Sequence, residues 1–200
     1  MDSKAKIAVF ISGGGSNLQS LIDATETGRL SGQIVLVISG RDNAYGLERA
    51  FNAGIDTFVY KVKSYPSKED AHRDLLEMLK EYEVEFIALA GYLKLLPPDI
   101  VKYFKNRIVN IHPALLPKYG GKGMYGHHVH DNIIKAGDKE SGVTVHLVDD
   151  IYDHGKIIMQ KKVAISAQDT PKSLAAKVLK LEHKVYPEAL NKLICDTKKI

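Results

Sequence analysis

The chain has 200 residues, 44% hydrophobic and 26% charged. That balance excludes a disordered or collagen-like chain. Its 28 Lys and Arg against 24 Asp and Glu leave a net charge of +4, which suits an anionic small molecule; the lysines are scattered, with no dense basic stripe of the nucleic-acid kind. No stretch approaches the ~20 consecutive apolar residues of a membrane helix. Residues 1–6 carry no apolar signal region, and the one cysteine, Cys195, fits a reducing, cytoplasmic compartment. Lys198 and Lys199 read as a solvated tail.

In chain order, residues 6–12 form a short apolar run ending in Gly13-Gly14-Gly15, and Ser16-Asn17 opens a helix with apolar positions Leu18, Leu21 and Ile22. Residues 34–38 are an unbroken β-branched run, as in a strand covered on both faces. A helix over 44–53 stops at Gly54, and a strand follows at 57–60. Ser67 with Asp70 caps the next helix, whose buried face is Leu75, Leu79 and Tyr82. Residues 85–90 are a strand, 98–104 a short helix, and 107–112 a strand ended by Pro113.

Strand and helix have alternated to this point, which predicts a parallel sheet. Beyond it, 117–126 is a Gly-rich loop and 128–136 a helix. Strands at 142–148 and 156–165 lie too close together for a crossover and read as an antiparallel pair. Thr170-Pro171 opens a last helix with a stripe of Leu174, Val178, Leu181 and Val185. The expected fold is α/β: a doubly wound, mostly parallel sheet with helices on both faces and an antiparallel strand pair near the C-terminus. Residues 1–200 read as a single domain. Ligands of such sheets bind beyond the strands' carboxyl ends, which singles out the loops at 13–17, 91–96 and 110–113.

Ser12-Gly13-Gly14-Gly15-Ser16-Asn17 joins a strand to a helix N-terminus, where glycines let the backbone approach an anion. It is neither a Walker loop nor G-x-G-x-x-G, so a phosphate monoester fits better than a nucleoside triphosphate; a plain tight turn with a helix cap is the alternative. On the strand before Pro113, Ile108, Asn110 and His112 face one way, and Val109 and Ile111 the other. An amide beside an imidazole at a strand end can supply a proton donor and an oxyanion donor for acyl transfer.

Asp149, Asp150 and Asp153 crowd the turn between the late strands, and a carboxylate near His112 would raise its pKa. His127, His128, His130 and Asp131 resemble a metal set. Neighbouring helical histidines diverge by about 100°, however, so only His127 and His130 share a side, and no metal is expected. Glu182 stands at the edge of the last helix's stripe, within reach of a ligand; His183 falls on the wet face.

Several of these segments, in order, resemble the folate-dependent formyltransferases: Ile11-Ser12-Gly13-Gly14-Gly15-Ser16-Asn17-Leu18, Ala90-Gly91-Tyr92-Leu93, Asn110-Ile111-His112-Pro113-Ala114-Leu115-Leu116-Pro117-Lys118-Tyr119, Gly142-Val143-Thr144-Val145-His146 and Glu182-His183. The S-G-x-G-S-N loop narrows the likeness to the phosphoribosylglycinamide branch. The resemblance implies transfer of a formyl group from 10-formyltetrahydrofolate to the amine of glycinamide ribonucleotide, a step of purine synthesis. It assigns Gly13, Gly14, Gly15, Ser16 and Asn17 to the substrate phosphate and Glu182 to its sugar or glycinamide part. Leu93, Lys94, Leu95, Leu96 and Ile108, with Asn110, Asp149 and Asp150, are assigned to the folate. Asn110, His112 and Asp153 match the catalytic trio, and Lys68 stands where the family holds the folate tail with Arg, a better match to a carboxylate.

On this reading Asn110 and a protonated His112 donate to the oxyanion, while Asp153 keeps His112 charged and positions a water. The stretch 120–126 looks longer than the family's usual loop and reads as a closing lid. The partners expected are small molecules alone, without nucleic acid, membrane or required metal, for a monomer or homodimer. The alternatives are another folate-dependent formyltransferase, a formyltetrahydrofolate hydrolase, or a non-catalytic phosphosugar-binding module.

Overall fold

The computed structural model describes residues 4–198; the first three residues of the polar N-terminal stretch, and Lys199 of the expected tail, lie outside the described residues. The elements are β1 (Ala5–Ile11), α1 (Ser16–Glu26), β2 (Gly32–Ser39), α2 (Tyr45–Asn52), β3 (Asp56–Val59), a 3-10 turn (Val62–Ser64), α3 (Lys68–Glu81), β4 (Phe86–Leu89), α4 (Pro98–Tyr103), β5 (Ile108–His112), α5 (His127–Lys135), β6 (Glu140–Leu147), β7 (Ile157–Ala164) and α6 (Pro171–Thr197). One seven-stranded sheet runs β3-β2-β1-β4-β5-β6-β7. The first five strands in that order are parallel. β6 pairs antiparallel with both β5 and β7, so the expected late pair is hydrogen-bonded onto the parallel sheet itself.

Alternation along β1 explains the layering. Ile7, Val9 and Ile11 face one core, with Leu18, Leu21 and Ile22 of α1, Val129 and Ile133 of α5, and Leu174 and Val178 of α6. Ala8 and Phe10 face the other, with Ala71, Leu75 and Leu79 of α3 and Ile100 of α4. Both faces are thus covered, as near-continuous apolar strands require. Among the described residues no helix is long and apolar enough to cross a membrane.

Two burial expectations need correction. On α3 the buried face is Ala71, Leu75 and Leu79, whereas Tyr82 sits at the C-cap, half-buried, its hydroxyl donating to Asp56 Oδ2 at 2.9 Å. On α6, His183 is half-buried and not on a wet face, with Nε2 buried and lacking a partner. The sequence stripe assumed one covered side, but α6 packs against α1, α5, β6 and β7 at once.

Chain order reverses between β1 and β4, since β1 leads to β2 on one side and lies against β4 on the other. Beyond this switch point an open α/β sheet leaves a crevice. Tyr186 of α6 fixes the crevice from behind: fully buried, it donates its hydroxyl to the Leu89 carbonyl of β4 at 2.8 Å, with the Val109 carbonyl of β5 3.4 Å away. Tyr186→Phe leaves that carbonyl without its donor and is expected to lower the unfolding free energy by about 1–2 kcal/mol, read from urea denaturation.

Candidate active site

Four polar side chains converge at the carboxyl end of β5. Asn110 lies opposite His146 of β6, and His112 opposite Thr144. Asp153 enters from the β6–β7 connection with φ +54°, a left-handed conformation that Asp tolerates better than most residues. Its Oδ2 accepts the Gly121 backbone N–H at 2.9 Å and lies 3.5 Å from His112 Nδ1. Its Oδ1 accepts from Asn110 Nδ2 at 3.3 Å and lies 3.5 Å from His146 Nε2. Thr144 ties down the segment after β5: its hydroxyl donates to the Ala114 carbonyl at 2.7 Å and accepts the Leu116 N–H at 3.1 Å.

Hydrogen bonds fix the ring tautomers. His112 Nε2 faces the Tyr119 carbonyl at 2.7 Å, so it carries the proton and donates. His146 Nδ1 likewise donates to the Leu147 carbonyl at 2.8 Å, which leaves Nε2 to accept from Asn110 Nδ2 at 3.2 Å. Burial pushes the His112 pKa down, more than the Asp153 carboxylate and the Tyr119 carbonyl lift it, and the net is below the ordinary 6.5. This corrects the expectation that Asp153 keeps His112 charged: in the free protein the ring is neutral near pH 7. Burial raises the Asp153 pKa, but the adjacent His146 side chain, the charge of His112 when protonated and the Gly121 N–H more than offset it, so the carboxyl stays below its usual value.

The β1–α1 loop is built around one glycine. Gly15 has φ +69°, and a Cβ there would sit 2.6 Å from Gly46 Cα. The loop is pinned by Gly46 N–H to the Gly13 carbonyl at 3.0 Å and Arg49 Nε to the Gly14 carbonyl at 2.9 Å. No side chain caps α1, which leaves its first N–H groups available to an anion. Asn17 Nδ2 donates to Glu182 Oε2 at 2.6 Å, while Asn17 Oδ1 is buried without a partner. Burial raises the Glu182 pKa, and the Asn17 hydrogen bond only partly counters it.

A cleft of about 780 Å³ joins these groups. Asn17, Glu182, Asn110, His112, His146 and Asp153 all line it. Leu93, Lys94, Leu95, Leu96 and Asp149 line it too, and Leu93 and Leu95 are exposed there, apolar surface offered to a ligand. The remaining residues named from sequence are not part of the lining. Gly13, Gly14, Gly15 and Ser16 lie outside it, on the pinned loop. Ile108 is sealed among the α4 side chains, two strand positions before Asn110, and Leu89 and Val148 line the cleft in its place. Lys68 is exposed at the start of α3, and Asp150 is exposed on the turn.

Residues 121–126 form one wall of the cleft, with Gly121, Gly123 and Gly126 at positive φ. Sequence reasoning missed His146 as a member of the polar cluster. The signal was the alternation Thr144-Val145-His146, which turns two polar side chains toward the same side of a strand. The α5 histidines also differ from expectation. His127 and His128 stack with centroids 4.0 Å apart, while His130 is buried and lines the cleft together with His127. At a helix's first turn exposed side chains swing freely, so the 100° rule does not separate them.

Comparison with known proteins bears on the same arrangement. Residues 5–190 match the family described as formyl transferase. The chain is 43% identical over 194 residues to a chloroplastic phosphoribosylglycinamide formyltransferase of Arabidopsis thaliana, covering 96% of this chain and 66% of that protein. It is 40% identical over 181 residues to phosphoribosylglycinamide formyltransferase of Escherichia coli, covering 90% of this chain and 83% of that one. The crystal structure of phosphoribosylglycinamide formyltransferase from Brucella melitensis superposes with a TM-score of 0.87 at 42% identity, covering 95% of both chains. The chain therefore spans just under two thirds of the plant relative's length and most of the bacterial ones.

Glu182 gives a test that needs no ligand. Its folded pKa lies above the unfolded value, so ionising it costs stability as pH rises past the ordinary carboxylate range. Glu182→Gln keeps an acceptor for Asn17 and is expected to raise the urea midpoint at pH 7. The gain shrinks as pH falls to about 4, where the unfolded carboxyl also protonates; a gain unchanged across that window contradicts the burial argument.

Proposed function

The chain belongs to the formyl transferase family, on its phosphoribosylglycinamide formyltransferase branch, and from that premise we propose that it moves a formyl group from 10-formyltetrahydrofolate to the amine of glycinamide ribonucleotide in purine biosynthesis. The observation that carries this reading is the meeting of Asn110, His112 and Asp153 at the switch-point cleft, beside a second polar pair, Asn17 and Glu182. A phosphosugar-binding module has no use for the first group. The formyl donor is a substrate, and the flat faces of its ring system match the wall of Leu89, Tyr92, Leu93, Leu95, Leu96 and Val148. The uncapped α1 N-terminus with Gly13, Gly14, Gly15 and Ser16 takes the phosphate, and Glu182 with Asn17 takes the sugar or glycinamide end.

The residues then divide the work. As the amine attacks the formyl carbon, Asn110 turns its Nδ2 hydrogen from the long Asp153 bond toward the developing oxyanion. His112, neutral before the reaction, accepts a proton relayed through water from the new ammonium at Nδ1, the nitrogen facing Asp153. Asp153 stabilises the imidazolium so formed, and its depressed pKa keeps it ionised to do so. The low pKa of His112 makes that imidazolium acidic enough to return the proton to the departing folate nitrogen. No step uses a metal. With one thiol, Cys195, the chain is at home in a reducing compartment, and we place it in the cytoplasm as a single-domain monomer or homodimer.

An absorbance assay for tetrahydrofolate release, run with and without glycinamide ribonucleotide, tests the reaction; release that ignores the amine identifies a hydrolase instead. His112→Ala is expected to lower kcat by about 10²–10⁴. Imidazole NMR gives a second, independent check. The His112 ring is expected to titrate below 6.5, and lower still in Asp153→Asn, because the carboxylate that lifts its pKa is gone. A ring that titrates above 6.5 removes the proton-accepting role.

A further inference from the structure

α5 opens with a donor set that the formyl transfer does not use. One ligand atom each from His127, His128 and Asp131 lie within 4.8 Å of one another. The two rings stack at 4.0 Å between centroids, tilted by 39°, and Tyr125 meets His128 edge-on at 5.8 Å. Among the described residues no hydrogen bond or ion pair engages the Asp131 carboxylate or either ring's nitrogens, so the three donors have no other task.

Two imidazoles and one carboxylate suit a borderline ion such as Zn²⁺; Ca²⁺ and Mg²⁺ want oxygen ligands throughout. Tetrahedral Zn²⁺ sets its ligand atoms about 3.3–3.5 Å apart, given metal–ligand bonds of about 2.0–2.1 Å. Both histidines are exposed and Asp131 is half-buried, so small rotamer changes close the difference. The positive end of the helix dipole opposes a cation here, but a dipole of half a charge is a weak opponent to three ligands, one of them anionic.

We propose that His127, His128 and Asp131 form a divalent transition-metal site of the Zn²⁺ class at the mouth of the cleft, separate from catalysis. The ion bridges the first and second turns of α5. The glycine-rich wall 121–126 runs directly into the first of them, and His127 itself lines the cleft, so metal binding anchors the C-terminal end of that wall.

The test is calorimetric titration of Zn²⁺ into the full chain after stripping with chelator, in the absence of substrates. One saturable ion per chain is expected. His128→Ala, at an exposed ring, and Asp131→Asn, which keeps the side chain's shape, are expected to leave the unliganded thermal midpoint unchanged, and each weakens binding at least about tenfold. His112→Gln leaves binding as it was. Absence of saturable binding, binding that survives both α5 substitutions, or binding lost in His112→Gln (which would seat the ion in the catalytic cluster) overturns the proposal. None of these outcomes bears on formyl transfer, which the folate assay decides by itself.

Discussion

The geometry of the cleft depends on one buried carboxylate. Asp153 is charged, and taking it out of water would be prohibitive without compensating donors. The donors are Asn110 Nδ2 on β5 and the Gly121 N–H on the glycine-rich wall, and the rings of His112 on β5 and His146 on β6 lie 3.5 Å from the same two oxygens. Each segment is therefore held in place by a group that the carboxylate needs. The left-handed backbone at Asp153 is part of the same constraint, since it turns the side chain back over the sheet edge from a connection that otherwise runs along the surface. A single charge thereby aligns the end of a parallel strand, its antiparallel neighbour and a glycine-rich loop.

The proton inventory around that charge is just as constrained. His112 has committed Nε2–H to a carbonyl, and His146 has committed Nδ1–H to another. His112 Nδ1, beside Asp153, is the nitrogen of that ring left to change its protonation. His146 Nε2 meets the Asn110 amide at 3.2 Å and so orients it.

Much of this was legible from sequence because the sheet is covered on both faces. Unbroken apolar runs such as Ile34 to Ile38, and the alternation of Ile7, Val9 and Ile11 against Ala8 and Phe10, mark strands with little ambiguity. The i, i+2 rule placed Asn110 and His112 on one side, and the structure has them there, both near Asp153. Ile108, assigned to the folate by likeness, shares that side of β5 but is fully buried two positions earlier: the rule gives a side, not a depth. Lys68 and Asp150 were named by likeness in order along the chain, which carries no distance. The role of His112's burial was also invisible. Local sequence shows the carboxylate that raises a pKa, but not the walls, contributed by distant segments, that lower it further.

The Asn17–Glu182 pair shows the opposite balance, stability given up and not gained. α1 and α6 pack through Leu18, Leu21, Val178 and Val185, and an apolar pair would continue that contact without penalty. Instead a carboxylate is buried with one hydrogen bond, and the amide oxygen beside it has none. Folding alone gives no reason to keep such an arrangement, because each unsatisfied polar group costs free energy in the native state. A ligand that brings hydroxyl or ammonium donors satisfies both groups at once, and the penalty carried by the free protein then becomes selectivity: an analogue lacking those donors leaves the same two acceptors unpaired and gains nothing from binding there.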